Sequence, residues 1–105
     1  MSEVKVAVTF RHTEPTEALR KYAEGKIHRI GRFFSRSLDA HVVLSVDSKE
    51  RQVAEVELHA PGTTLHGKEE TEDLYSSIDL VTDKIERQVK KRKEKIKLSR
   101  RRTKE

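Results

Sequence analysis

The chain has 105 residues, of which 33% are hydrophobic, 39% are charged and none is cysteine. This length corresponds to one domain, and the lack of cysteine excludes a disulfide framework and a thiolate metal site. No stretch approaches the roughly 18 apolar residues of a membrane span, and the alternating N-terminus lacks the apolar run of a signal peptide. We therefore expect a cytoplasmic protein that has no contact with a membrane.

Positive charge is concentrated in two segments of the chain. Residues 84–105 contain 12 Lys/Arg against three Asp/Glu, and residues 20–36 contain six Lys/Arg against one glutamate. The whole chain has a formal net charge of +5, so the remaining residues together carry −9. Because each neutralised phosphate releases counterions, this segregation is typical of proteins that place basic surfaces against a polyanion. The charge distribution predicts nucleic-acid binding.

The first part of the chain has the pattern of a strand, a helix and a second strand. Apolar residues alternate with other residues over 4–10 and again over 40–46, which predicts two strands with one buried face each. Apolar residues at helical spacing predict a helix over 17–30 between them. We expect Thr16 to be its N-cap and Gly31 to end it in the left-handed conformation.

The second part of the chain predicts two more strands and a long helix. Residues 54–60 alternate again, and a Pro-Gly pair marks a turn into a shorter, polar edge strand over residues 63–70. A helix is then expected over residues 73–97, with Thr71 or Asp73 as its cap.

The predicted element order is β-α-β-β-β-α, an α+β fold. Consecutive strands with short links favour an antiparallel meander. Two amphipathic helices packed on one face of a four-stranded sheet would bury the apolar faces of all these elements. We assign residues 1–98 to this domain and residues 99–105 to a basic, disordered tail.

The long helix separates its apolar and basic residues onto different faces. At 100° per residue, one sector of about 80° holds the core face, namely Leu74, Ile78, Val81, Ile85, Val89 and Ile96. A separate sector holds four cations, here called the basic stripe: Lys84, Arg87, Lys91 and Lys95. At a rise of about 1.5 Å per residue the stripe is roughly 16 Å long, the length of several phosphates. Basic residues also complement the dipole at a helix C-terminus, but two or three would suffice for that.

The first helix adds three candidate phosphate contacts. We expect Lys26, Arg29 and Arg32 to contact phosphates, as the basic stripe does, without reading bases.

Tyr75 has two interpretations, since it could stack on a base or pack at the boundary of the core. His41 and His59 could be neighbours on the exposed sheet face.

No catalytic or metal-binding motif is found in the sequence. The five histidines lack HxH or HExxH spacing, and the chain has no glycine-rich phosphate loop and no Ser-His-Asp signature. We therefore expect a protein that is not an enzyme and has no cofactor, metal or small-molecule substrate.

Residues 73–95 resemble the second helix of the ribosome hibernation-promoting factors, also called ribosome-associated inhibitors. The family pattern there is Asp-(Met/Leu)-Tyr-x-x-Ile-Asp-x-x-x-Asp-Lys-(Leu/Ile)-x-Arg-Gln-x-x-Lys. The chain matches this pattern at Asp73, Leu74, Tyr75, Ile78, Asp79, Asp83, Lys84, Ile85, Arg87, Gln88 and Lys91. The segments 16–20 and 42–44 resemble the start of the first helix and the second strand of the family.

This resemblance implies a fold similar to double-stranded RNA-binding domains and a partner, the small ribosomal subunit. A member of the family would bind ribosomal RNA in the mRNA channel, overlap the tRNA and mRNA sites, and inhibit translation in stationary phase or stress. We expect the domain itself to be monomeric. Long members of the family continue into a second, dimerising domain, and the sequence leaves open whether this chain is a short form or the first domain of a long one.

Two alternatives remain open from the sequence. The basic helices could dock on an acidic protein partner, as the family's older name, a modulator of a sigma factor, suggests. The chain could also be a general binder of duplex RNA.

Overall fold

The computed structural model describes the backbone of residues 3–34 and 37–103 and the side chains up to Lys91. Its elements are β1 (Val4–Arg11), α1 (Glu17–Gly31), β2 (Leu38–Ser48), β3 (Arg51–Ala60), β4 (Thr63–Thr71) and α2 (Leu74–Thr103). This order confirms the predicted β-α-β-β-β-α arrangement, and each element lies close to its predicted position.

The four strands form one mixed sheet in the order β1-β2-β3-β4. The first two strands are parallel, with Val4 opposite Leu38 and Arg11 opposite Ser45. A parallel pair needs a crossover connection, which α1 supplies. The pairs β2–β3 and β3–β4 are antiparallel, so the predicted meander is confirmed. As predicted, β4 lies at an edge of the sheet.

Both helices cover the same face of the sheet, and the core lies between the two layers. The alternation in the strands places their apolar residues toward the helices. The largest fully buried side chains come from both layers, and they include Ile27, Ile30, Leu44, Leu58, Ile78 and Ile85. Burying one such side chain contributes about 1.5–3 kcal/mol relative to leaving it in water. The core therefore holds α2 rigidly against the sheet, up to the last buried residue of the described side chains, Val89.

The start of α1 agrees with the prediction and its end does not. The Thr16 hydroxyl accepts a hydrogen bond from the backbone N–H of Leu19 at 3.2 Å, as an N-cap does. Gly31, predicted to be left-handed, instead remains in the helix, and Arg32 follows with a helical φ of −63°. Glycine occupies this position because the helix approaches β1 closely. A Cβ at position 31 would lie 2.6 Å from Cγ2 of Val4.

Two glycines of α1 therefore respond oppositely to the same substitution. Gly31→Ala should lower the free energy of unfolding by about 1–3 kcal/mol, because the added methyl overpacks against Val4. Gly25→Ala should raise it by about 0.5–1 kcal/mol, since no described heavy atom beyond the adjacent residues and the backbone of its own helix would lie within 4 Å of the new methyl. Urea unfolding of the two variants measures both effects, and equal shifts would contradict the close approach.

The long helix begins at its predicted cap and extends further than predicted. The Asp73 carboxylate accepts hydrogen bonds from the backbone N–H groups of Tyr75 and Ser76, each at 3.4 Å. Asp73 rather than Thr71 is therefore the N-cap. The helical backbone continues to Thr103 instead of ending near residue 97, because no glycine or proline occurs after residue 67 to interrupt it. The division between a domain over 1–98 and a disordered tail over 99–105 stays a prediction.

Candidate nucleic-acid interface

The described part of the basic stripe lies on the flank of α2 that borders β4. Lys84, Arg87 and Lys91 are all exposed. The Nζ atom of Lys84 lies 4.0 Å from Oε1 of Glu69 on β4, and the Lys84 side chain keeps 52% of its surface exposed. A contact at this distance in solvent contributes little, so the ammonium group remains available to a phosphate. Lys95 lies outside the described side chains.

The predicted cations of α1 lie on the other flank of α2. The Nζ atom of Lys26 is 3.2 Å from Oδ1 of Asp79, and Nε of Arg29 is 4.0 Å from Oε1 of Glu86. Arg29 nevertheless keeps 66% of its side chain exposed, whereas Lys26 keeps 29%. Arg32, just after the last residue of α1, is exposed.

The structure thus arranges the described candidate contacts as two lines of cations rather than one patch. Helical spacing places a row of acidic residues on α2 between the two lines, namely Asp79, Asp83 and Glu86. The groove between the two helices is lined by Lys26, Arg29, Ile30, Thr82, Asp83 and Glu86. Because exposed ion pairs contribute less than about 1 kcal/mol, Arg29 can exchange its carboxylate partner for a phosphate at small cost.

A hydrogen-bonded cluster joins the two helices near the start of α2. The Tyr22 hydroxyl donates to Oδ1 of Asp79 at 2.5 Å, next to the Lys26–Asp79 ion pair. The hydrogen bond from Tyr22, followed by the contact with Lys26, lowers the pKa of Asp79. In turn, the hydrogen bond to Asp79 raises the pKa of Tyr22, and the contact with Asp79 raises the pKa of Lys26. The ring of Tyr22 also packs edge to face on Tyr75, with centroids 5.0 Å apart. Tyr22 was not among the site residues predicted from the sequence, where its one signal is its position four residues before Lys26 on one helix face.

Removal of the Asp79 charge should make stability less dependent on acid pH. A carboxylate with a lowered folded-state pKa stabilises the fold above its ordinary pKa of about 4, and this contribution is lost as pH falls through the folded pKa. Asp79→Asn should therefore lower the free energy of unfolding at pH 7 by up to about 1 kcal/mol, a limit set by its exposure.

Urea unfolding between pH 7 and pH 2 measures the difference between Asp79→Asn and the unmodified chain. The difference should shrink below about pH 4. Asp83→Asn, one turn further along α2, is the matched control. A difference in the free energy of unfolding that stays constant across this range would show that the contacts with Tyr22 and Lys26 do not lower the pKa of Asp79.

The sheet face opposite the helices carries histidines paired with glutamates. The strand register places His41 opposite Glu57 rather than opposite His59. Nε2 of His59 lies 3.1 Å from Glu57, and Nε2 of His66 lies 2.8 Å from Glu55. Over residues 3–34 and 37–91, no group of three or more His, Cys, Asp or Glu side chains has a geometry that would hold a metal ion. In the same part of the chain, no helix has the length and apolar character to cross a membrane.

The mixed four-stranded sheet, the two helices on one of its faces and the exposed cations along α2 define an α+β domain with a basic helical surface. The model of the Sigma 54 modulation protein / S30EA ribosomal protein family matches residues 6–97. The chain belongs to this family, which confirms the resemblance found in the sequence.

Similar proteins include curated relatives that are named for ribosome hibernation. A ribosome hibernation promoting factor of Azotobacter vinelandii is 39% identical over 92 residues, which cover 88% of this chain and 85% of that protein. The ribosome hibernation promoting factor of Escherichia coli K12 is 34% identical over 94 residues, 90% of this chain and 98% of that protein. A ribosome hibernation promotion factor of Lactococcus lactis is 37% identical over 92 residues, but this chain covers only 50% of its length.

Two solved structures have the same fold. The N-terminal domain of Protein Y from Thermus thermophilus superposes with a TM-score of 0.76 at 35% identity, covering 83% of this chain and 97% of that domain. A ribosomal subunit interface protein from Coxiella burnetii superposes with a TM-score of 0.72 at 27% identity, covering 89% and 98%.

Proposed function

We propose that this protein is a ribosome hibernation factor that binds the RNA of the small ribosomal subunit in the mRNA/tRNA channel. Bound there, it inhibits translation during stress or stationary phase, in the cytoplasm. The observation that carries this proposal is the exposed basic stripe on α2, in a family whose curated relatives are named ribosome hibernation promoting factors. The name of the Coxiella burnetii relative, a ribosomal subunit interface protein, supports the same partner.

The stripe suits phosphates better than bases. Lysine and arginine side chains on a helix fixed by its core present charge at regular spacing, and contacts to phosphates position a protein without reading sequence. Structured RNA is bound largely through shape and backbone contacts. Lys84, Arg87, Lys91 and Lys95 are therefore the proposed contacts on α2, and Lys26, Arg29 and Arg32 those on α1.

The arrangement of these cations favours an irregular RNA surface over a simple duplex. The acidic row formed by Asp79, Asp83 and Glu86 separates the two lines of cations and repels a phosphate placed over it, whereas the exposed Lys90 follows on the same face one turn beyond Glu86. The wall of a ribosomal channel can present phosphates on both sides of such a row. A regular duplex has evenly spaced phosphates and would place some of them against the carboxylates.

Sedimentation with separated ribosomal subunits tests this proposal. The protein should comigrate with purified small subunits at physiological salt and should not comigrate with large subunits. A generic RNA duplex should compete weakly for the protein. Comigration with large subunits alone, or equal binding to duplex RNA, would contradict the proposal. Binding to an acidic protein without any binding to subunits would favour the interaction-module alternative.

Inhibition of translation should be stoichiometric rather than catalytic. Cell-free translation should fall in proportion to the protein added, reaching its minimum near one protein per small subunit. Prebound mRNA and initiator tRNA should protect the ribosomes, since they occupy the same channel. Inactivation by far less than one equivalent, or cleavage of ribosomal RNA, would instead indicate an enzyme.

A further inference from the structure

An exposed aromatic ring lies at the start of α2, beside the proposed RNA contacts. Tyr75 is 38% exposed and is one of two large hydrophobic residues, with Leu80, that are exposed among the described side chains. Its ring meets that of Tyr22 at an angle of 73°, with 5.0 Å between centroids. Single exposed apolar residues are common on protein surfaces, so the surroundings of Tyr75 decide whether it has a role.

The surroundings hold the aromatic pair in one arrangement. The hydroxyl of Tyr22 is tied to Asp79 at 2.5 Å, and Asp79 also pairs with Lys26 at 3.2 Å. The Lys26 ammonium lies 5.5 Å from the centre of the Tyr22 ring, within the range of a cation–π contact. Side chains from both helices thus position the ring against which Tyr75 packs. Because Tyr75 packs on this fixed ring, its own ring loses little conformational freedom when it binds a ligand.

The charges near Tyr75 distinguish between the parts of a nucleotide. The carboxylate of Asp73 accepts from the backbone N–H of Tyr75 itself, and the exposed Glu72 comes just before it. These carboxylates repel a phosphate, whereas a neutral base has no such penalty. Exposed aromatic rings close to cations are the usual platforms for unpaired bases, and stacking tolerates any base identity.

We propose that Tyr75, supported by Tyr22, stacks on one unpaired base of the small-subunit RNA. The ligand is a nucleobase that is free of its helix, with its phosphate directed away from Asp73 and toward the side of the cluster that carries Lys26. This inference rests on the proposed function and adds to it a contact that depends on shape rather than charge. An apolar side chain of a ribosomal protein is the competing occupant.

The variants Tyr75→Phe and Tyr75→Leu separate stacking from apolar packing. Both keep apolar bulk against Tyr22, but only phenylalanine keeps an aromatic face. Tyr75→Phe should bind purified small subunits within about twofold of the unmodified chain, and Tyr75→Leu should bind roughly 5- to 150-fold more weakly. The slope of affinity against salt should stay unchanged in both, since no charge is removed. Unmodified affinity of Tyr75→Leu, or equal weakening of both variants, would overturn the proposal.

Tyrosine fluorescence gives a second measurement that does not depend on the stability of Tyr75→Leu. The chain has no tryptophan and two tyrosines, so Tyr22→Phe leaves Tyr75 as the only tyrosine and keeps an aromatic ring at position 22. Because this variant loses the hydrogen bond to Asp79, sedimentation first verifies that it binds small subunits as the unmodified chain does. The probe is small-subunit RNA freed of its proteins. Its addition should lower the intensity of the Tyr75 emission, corrected for absorption by the RNA, as binding saturates, because a base stacked on the ring quenches it in the ground-state complex.

The outcomes of this measurement separate the two proposals. Binding seen by sedimentation with an unchanged emission intensity would overturn the stacking proposal and leave the proposed function in place. The same result on free RNA, combined with weak binding of Tyr75→Leu to whole subunits, would assign the ring to a ribosomal protein. Failure of the unmodified chain to bind small subunits would overturn both proposals.

Discussion

Reversal of two charges in the basic stripe is expected to abolish binding to small subunits while leaving the fold intact. Lys84→Glu with Lys91→Glu removes two phosphate contacts and adds two repulsive charges. Hydrogen bonds to charged groups contribute about 1.5–3 kcal/mol each, so affinity should fall more than about 100-fold. Both residues are exposed, and exposed substitutions usually change stability by less than about 0.5 kcal/mol. Lys84→Glu adds a further small cost, because it faces Glu69.

A control with the same change in net charge separates the stripe from general electrostatics. Lys5→Glu with Lys49→Glu also changes the charge by −4, on β1 and on the turn after β2, where both residues are exposed. This control should comigrate with small subunits in a gradient, and the stripe variant should not. Thermal unfolding verifies that both are folded. Comigration of the stripe variant at physiological salt, or equal loss in the control, would show that the stripe is not the binding surface.

The affinity for small subunits is expected to fall steeply with salt. Seven phosphate contacts, each releasing about 0.7–0.9 counterion, give a log–log slope of roughly −5 to −6. Affinity should therefore fall on the order of a thousandfold between about 50 and 200 mM salt. Equilibrium binding of labelled protein over this range measures the slope, and an affinity that hardly changes with salt would contradict binding through phosphates.

Single substitutions should change the salt dependence of affinity by different amounts. Arg87→Ala should make it shallower by about one contact, because Arg87 is exposed. Lys26→Ala should change it less, since Lys26 must leave Asp79, 3.2 Å away, before it neutralises a phosphate. The freed carboxylate then takes up a counterion, which offsets part of the release. A slope unchanged by Arg87→Ala would remove that residue from the interface.

The fold was predictable from sequence because burial imposes a period on each element. Alternating valines in β1 and the spacing of Leu74, Ile78 and Ile85 in α2 identify strand and helix without knowledge of the neighbours. The role of Gly31 could not be predicted in this way. A glycine at a helix end is needed either for a left-handed residue or for close packing, and only the position of Val4 decides between them.

The candidate site was predictable in part for the same reason. Residues opposite the core face of a helix are exposed, and this rule placed Lys84, Arg87 and Lys91 correctly on the surface. The pairing of Lys26 with Asp79 depends on how α1 lies beside α2, and no periodicity within either helix contains that information. The same limit explains why the separation of the cations into two lines emerged only from the structure.

The most direct test of the account maps which ribosomal RNA lies beside α2. The chain has no cysteine, so Asp83→Cys and Lys49→Cys each provide one attachment point for an iron–EDTA reagent that cleaves nearby RNA backbone. Position 83 is exposed on α2 between the two lines of cations, and position 49 is exposed on the turn after β2. With small subunits, the reagent at position 83 should cut RNA that lines the mRNA/tRNA channel, more strongly than the reagent at position 49. Cuts outside the channel, or stronger cutting from position 49, would contradict the claim that the basic face of α2 binds ribosomal RNA there.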